Sequence, residues 1–251
     1  MSTCRTEPAG AALRRWLPFL GVLLTGVALL FLLDGTQIDR QLANRFYDPV
    51  SRTFPLRHNE LLEVVLHHWA KYLVILLGSL TIATFLLSFM ISSLRSQRRL
   101  LLFVALSLTL APATVTALKA VSNKHCPWDV AEYGGMVPYM RLFERSPTTQ
   151  RGGHCFPAGH ASTGFALMSL YFVGRARRRP AMALAGLATG ILAGGALGLG
   201  RMMQGAHFLS HTLWSGLVCW LVIGLLASAM LRLPATERLS ESPPTGPTNC
   251  H

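Results

Sequence analysis

The chain has 251 residues, of which 51% are hydrophobic and only 14% charged, and its mean hydropathy is +0.40. That is too apolar for an ordinary soluble domain and fits a chain embedded in a bilayer. The formal net charge is +12 at pH 7, but the arginines fall in short clusters between apolar runs. This is the topology pattern of a membrane protein, and it argues against reading the high charge as nucleic-acid binding.

Six stretches approach the roughly 20 apolar residues that span a bilayer as a helix. The first, residues 16–33, has too long an apolar core for a signal peptide. The DGTQIDR after it lacks a small-x-small cleavage pattern, so this run is read as an anchor helix. Residues 34–66, with IDRQLANRFYDPV, predict amphipathic pieces lying along the interface. His67, His68 and Lys71, beside Trp69 and Tyr72, read as an interfacial belt opening the second run, 72–91. The third run is 100–118 and the fourth 159–173. In the fifth, 181–200, Gly186, Gly190, Gly194 and Gly198 recur every fourth residue as a stripe for close helix packing. The sixth is 212–231, and the Pro/Ser/Thr-rich residues 232–251 read as a disordered tail.

Arginine sets the orientation. Arg14 and Arg15 precede the first run, Arg95, Arg98 and Arg99 separate the second and third, and RARRR (Arg175 to Arg179) separates the fourth and fifth. The positive-inside rule assigns all three clusters to the cytoplasm. The expected fold is therefore all-α: a six-transmembrane-helix bundle over residues 16–231, with a cytoplasmic segment 1–15, a cytoplasmic tail 232–251 and both termini inside. The RARRR run is also a contact for anionic membrane lipids.

By parity of crossings three polar segments emerge together on the outer face: ALKAVSNKHCPWD, FPAGHAS and GRMMQGAHFLSH. They carry Lys119, Lys124, His125, His154, His160, Arg201, His207 and His211. Cations and imidazoles at a bilayer surface are costly, which marks a functional site. Lysine and arginine with convergent histidines suit a phosphate: the cations hold its oxygens while imidazoles move protons or attack phosphorus. Gly159 and His160 at a helix start add unpaired N–H groups. His207 and His211, four residues apart, also match a zinc pair, but no glutamate follows His207 as in an HExxH metal site. No metal or cofactor is expected.

The spacing of these residues resembles the three-part signature of the type 2 phosphatidic acid phosphatase superfamily. Lys119 is followed after six residues by Cys126-Pro127; then comes Pro157-Ala158-Gly159-His160; then Arg201, five residues, His207, three residues, His211. Cys126 stands where the family has arginine, Ala158 and Gly200 where it has serines, and His211 where it has aspartate. The resemblance implies that His207 is the nucleophile and forms a phosphohistidine. It implies that His160 protonates the leaving oxygen and then activates water, while Lys119, Arg201 and the Gly159 N–H bind phosphate. His211 then orients His207, or Asp129 or Glu132 does so from the neighbouring loop, and Lys124 replaces the missing arginine. The implied activity is a metal-independent lipid phosphatase at the periplasmic face of a bacterial inner membrane. Its partners are a lipid phosphate or diphosphate and the surrounding lipids, with no nucleic acid. Phosphoryl transfer to a lipid acceptor such as lipid A, and a non-catalytic family member, stay open as alternatives.

Of five cysteines only Cys126 and Cys155 reach the outer face, where thiols are oxidised. Each flanks a motif, so a disulfide closing loop 119–158 over the site is expected. The alternative is two unrelated free thiols.

Overall fold

A computed structural model of the chain describes residues 9–64, 70–144, 152–231 and 233. The expected tail beyond Leu233 and the belt residues His67, His68 and Trp69 lie outside the described residues. Among those described, regular structure is helical, with no strand beyond isolated bridges such as Lys124 to His154. In chain order the helices are α1 (Ala9–Asp34), α2 (Ile38–Phe46), α3 (Glu60–Glu63), α4 (Ala70–Leu87) and α5 (Arg98–Val121). They continue with α6 (Gly159–Phe165), α7 (Ser169–Ala176), α8 (Pro180–Met203) and α9 (Leu209–Met230).

Four stretches are long and apolar enough to cross a membrane: Trp16–Asp34, Ser92–Val121, Pro180–Met203 and Leu209–Met230. The two remaining runs are shorter as single helices. The apolar part of α4 is Tyr72–Leu87. It ends ahead of the predicted 91 because Arg98 reaches back to its end, donating from Nη2 to the Ser88 carbonyl (2.6 Å) and stacking on Phe89 (4.3 Å). Those contacts satisfy a carbonyl group left without an intrahelical partner at the helix end. The fourth run is broken by a 3-10 turn, Ala166–Met168, between α6 and α7.

The break lies where this run presses against α8. Gly190 faces Met168, Gly194 faces the Phe165 ring and Gly186 faces Leu170, where an added Cβ would lie 2.6 Å from that side chain. Gly198 faces Thr212 of α9. The four-residue glycine period is thus a seat for α6, α7 and the start of α9, the use expected of small residues between apolar helices. Behind it lies an aromatic core of Phe19, Phe103, Phe165, Phe172 and Trp220. Trp220 stacks on Phe19 (5.7 Å) and donates its Nε1–H to the Phe19 carbonyl (3.2 Å), joining α9 to α1.

At one end of the bundle residues 34–64 and 122–144 build a polar-edged cap. Phe54, Val130, Tyr133 and Phe208 form its small core. Arg40 grips Glu132 through two nitrogens, at 2.9 and 2.5 Å, and the Tyr133 hydroxyl donates to Asn44 (2.9 Å). The segment predicted as interfacial pieces is therefore largely a lid on the helix ends, with α2 packed by its buried face, Asp39 and Ala43.

Candidate functional site

Four helix ends meet beneath this cap. Lys119 lies in the last turn of α5 and Arg201 in the last turn of α8, where the negative ends of the helix dipoles favour cations. Gly159 and His160 open α6, whose N-cap, Ala158, contributes no side-chain bond, so the first-turn N–H groups have no side-chain cap. A Cβ on Gly159 would meet nothing within 4 Å. There is open space directly over that helix start.

His207 is delivered by a sharp turn. The Gly205 N–H bonds the Met202 carbonyl and the Ala206 N–H bonds the Arg201 carbonyl, both at 2.9 Å. This paired closure of a helix C-terminus requires a left-handed residue, and Gly205 has φ of +73°. Two residues later His207 turns inward, 3% exposed. Burial comes first among the influences that push its imidazole well below the ordinary histidine pKa. The neighbouring His211, Lys119, Arg201 and His160 come after it. A histidine in this setting is neutral at neutral pH, with a nitrogen lone pair available.

The groups acting on His207 are thus four residues singled out from sequence, gathered from three motifs. Lys119 and Arg201 also lie within electrostatic range of each other. Arg201 donates from Nη1 to Gln204 (2.8 Å), while its Nε has no partner among the described residues.

His211 and His207 are neighbours, with ring centroids 5.9 Å apart and edge-to-face. They are not the hydrogen-bonded pair expected from sequence, since Nδ1 of each ring has no partner among the described residues. The His211 ring instead bonds the backbone of Cys155, and its carbonyl accepts from Ala158 N–H (3.1 Å). Motif two is therefore laced to motif three at both the side chain and the backbone of one residue.

The other expected partners lie elsewhere. Lys124 donates its ammonium to the carbonyls of Arg141 (2.9 Å) and Glu144 (2.5 Å), so it ties down the cap and is not among the groups acting on His207. Asp129 accepts from Cys126 N–H (3.1 Å) within its own turn, and Glu132 is held by Arg40. Neither carboxylate reaches His207, because each is engaged within the cap. Cys126 and Cys155 are joined by a disulfide with a Cα separation of 5.2 Å, and the Cys155 N–H bonds the Lys124 carbonyl (2.9 Å). The Cys155 sulfur also lies 3.0 Å from the Ala206 carbonyl oxygen, against the turn that carries His207.

Sequence reasoning missed two buried groups. Gln204 is 1% exposed and holds Arg201. Asp39 of α2 is 8% exposed and accepts from both the N–H (2.9 Å) and the hydroxyl (2.5 Å) of Ser210 in the first turn of α9. Its carboxylate caps that helix from a distant element, where Phe208 at the N-cap position has no polar side chain. The available signal for Asp39 was its place four residues before Ala43 on the buried face of an amphipathic helix. Among the described residues no three His, Cys, Asp or Glu side chains group so as to hold a metal ion.

Comparison with known proteins agrees with this geometry. The chain is 27% identical over 217 residues to a lipid A 4'-phosphatase of Francisella tularensis subsp. novicida (strain U112), covering 85% of this chain and 95% of that one. No solved structure matches it. The sequence profile of the PAP2 superfamily matches residues 100–234, more than half of the 251 and inclusive of Lys119, His160, Arg201, His207 and His211. On that match, the chain belongs to the PAP2 superfamily.

Proposed function

We propose that this protein is a membrane phosphatase that removes phosphate from a lipid, working at the helix ends beneath the cap. The observation that carries the reading is the convergence of Lys119, His160, Arg201 and His211 on a buried, neutral His207. Two cations held near each other suit an anion bearing more than one charged oxygen. Lys119, Arg201 and the first-turn N–H groups of α6 hold three oxygens of the phosphate. A His207 nitrogen attacks phosphorus, forming a P–N bond as the P–O bond to the lipid breaks, and His160 gives its proton to the leaving oxygen. Water then attacks the phosphohistidine while His160 takes its proton, and inorganic phosphate leaves with the P–N bond broken. Charge is balanced by fixed protein groups, so turnover survives a chelator. His211, packed edge-on, fixes the position of His207.

Membership of the family and likeness to a lipid A 4'-phosphatase support a phosphorylated lipid as substrate, with a lipid A phosphate monoester as the first choice. The arginine distribution supports six crossings, cytoplasmic termini and a site at the periplasmic face of a bacterial inner membrane. Purified protein in detergent, assayed for phosphate release from lipid A, phosphatidic acid, phosphatidylglycerophosphate and undecaprenyl diphosphate, tests the reading. Release from lipid A ahead of the others is expected. Release from none overturns the phosphatase reading, and phosphate appearing on an acceptor lipid replaces hydrolysis with transfer.

A further inference from the structure

The cap holds a hollow that the proposed chemistry does not use. Its volume is about 510 Å³, and Phe54, Arg57, His58, Asn59 and Glu60 are among the residues that line it. That lies within the roughly 300–1,000 Å³ usual for small-molecule sites. Its walls are tied to the turn that delivers His207. The ring of Phe54 packs over Gly205, and a Cβ on Gly205 would run into it. The Arg57 guanidinium lies over the Trp128 ring (4.7 Å to the centroid), and the Trp128 backbone N–H bonds the Gly205 carbonyl (3.1 Å). Further along the same segment, Glu63 of α3 lies within electrostatic range of Arg201. Residues 53–63 therefore run along the cap side of the phosphate site, above the end of α8, where a lipid headgroup would lie and its tails would not.

The lining mixes charges and offers unused hydrogen-bonding groups. Stacking on Trp128 engages the face of Arg57 and leaves its N–H edges free. The Asn59 Oδ1 accepts from Leu62 N–H (2.9 Å), which leaves Nδ2 to donate. Among the described residues the side chains of Arg57, His58 and Glu60 have no hydrogen-bond partner. A second phosphate placed here would meet the Glu60 carboxylate, and a cationic group would meet Arg57. Hydroxyls suit both, because they accept from Arg57 and Asn59 and donate to Glu60. Phe54 and Pro55 add apolar surface for the C–H face of a ring.

We infer that this hollow is a sugar subsite: the substrate is a lipid phosphorylated on a sugar ring, whose hydroxyls Arg57, Asn59 and Glu60 hold. The inference deepens the phosphatase reading and rests on it for the phosphate beside the ring. Lipid A carries its phosphates on sugars, whereas phosphatidic acid, phosphorylated on glycerol, has no ring to place there. Arg57, Asn59 and Glu60 all lie outside residues 100–234, the part that matches the family profile. Selection among lipids is thus built on a different segment from the shared phosphate chemistry.

The experiment uses the full chain in detergent and two hydrolysis-resistant probes, a phosphonate of N-acetylglucosamine and methylphosphonate, which differ by the sugar. In calorimetric titration the wild type should bind the sugar phosphonate about 10-fold more tightly, the worth of a hydrogen bond to a charged group. Arg57→Gln and Glu60→Gln should each cut that advantage to within about 2-fold. Equal affinities in the wild type overturn the proposal, and so does an advantage that survives both substitutions. Hydrogen exchange in the wild type provides a check that needs no variant. The sugar phosphonate should slow exchange across residues 53–60 and methylphosphonate should not, and unaltered exchange there also overturns the proposal. In catalysis each variant should raise KM for lipid A about 10-fold with kcat within about 2-fold. A fall in kcat at constant KM assigns these residues to bracing the turn at Gly205 and overturns the subsite. A wild-type protein that hydrolyses no lipid phosphate overturns the phosphatase reading instead, and the two probes still decide the sugar subsite.

Discussion

At His207 and His160 the proposed division of labour makes different demands on the two imidazoles. His207→Ala removes the atom that bonds phosphorus, so phosphate release and any acid-quenched phosphoenzyme should both vanish. His160→Ala leaves the nucleophile and should slow release by about 10²–10⁴-fold, the usual worth of a positioned proton donor. Release near the wild-type rate in His207→Ala would remove the nucleophile from the mechanism. The buried state of His207 also predicts a pH effect on stability. Its folded pKa lies below that of the unfolded chain, mainly through burial. Protons therefore bind the unfolded state first as pH falls below about 6.5, and stability drops from there towards the lower folded value. Melting curves between about pH 7.5 and 5 should show this fall, and His207→Gln should flatten it. That Lys119, His160 and Arg201 come together with His207 was legible, because their spacing in the sequence places them at or beside helix ends. Asp39 was not, since its partner Ser210 is 171 residues away and no local pattern announces the pair. The contacts of Lys124 were not legible for a related reason: its position near Cys126 suggested a phosphate, and the fold gives its ammonium two backbone carbonyls, those of Arg141 and Glu144.

Among the helices the glycine stripe of α8 and the disulfide do the positioning. The stripe was legible from its period alone, although its consequence, the interrupted α6–α7 rod, was not. A 3-10 turn is set by tertiary pressure from α8 rather than by any breaker residue in Phe165-Ala166-Leu167-Met168. Gly190→Leu pushes a side chain into Met168 and should destabilise the protein by about 1–3 kcal/mol, an overpacking cost read from denaturation in detergent. Gly195→Leu is its control, because a Cβ there meets nothing within 4 Å. The cysteine pair was legible from compartment and placement. With its ends 29 positions apart in sequence, the link contributes roughly 3–4 kcal/mol in the chain-entropy account. Cys126→Ser with Cys155→Ser should lower the melting temperature accordingly and weaken the hold on the turn at Ala206. An unaltered melting curve would deny the bond a stabilising role.

For the molecule as a whole, composition pointed to a membrane protein, and the arginine clusters predict an orientation that single-cysteine labelling in intact cells checks. Cysteines introduced at Arg52 or Met136 of the cap should react with an impermeant maleimide, and one introduced at Arg178 should not. The reverse pattern would turn the topology over. The cap itself was the least legible part, because its contacts join residues 34–64 to 122–144 across two intervening helices, α4 and α5. Hydropathy reads such segments as loops. Their fold depends on aromatic packing and on one arginine–glutamate pair that only three-dimensional proximity reveals.

Under the proposed mechanism, the closeness of Lys119 and Arg201 also governs the release of product once the chemistry is done. Two like charges in a half-buried setting repel until an anion sits near both, so inorganic phosphate, the released product, is itself a ligand for the resting protein. Tightness for the scissile group and slowness in letting its remnant go come from the same pair. Phosphate should then act as a competitive inhibitor and as a stabiliser, adding about 2.7 kcal/mol at a concentration one hundred times its dissociation constant. Enzyme working in a phosphate-poor compartment turns over freely, whereas accumulating product throttles it, a form of feedback that needs no second site.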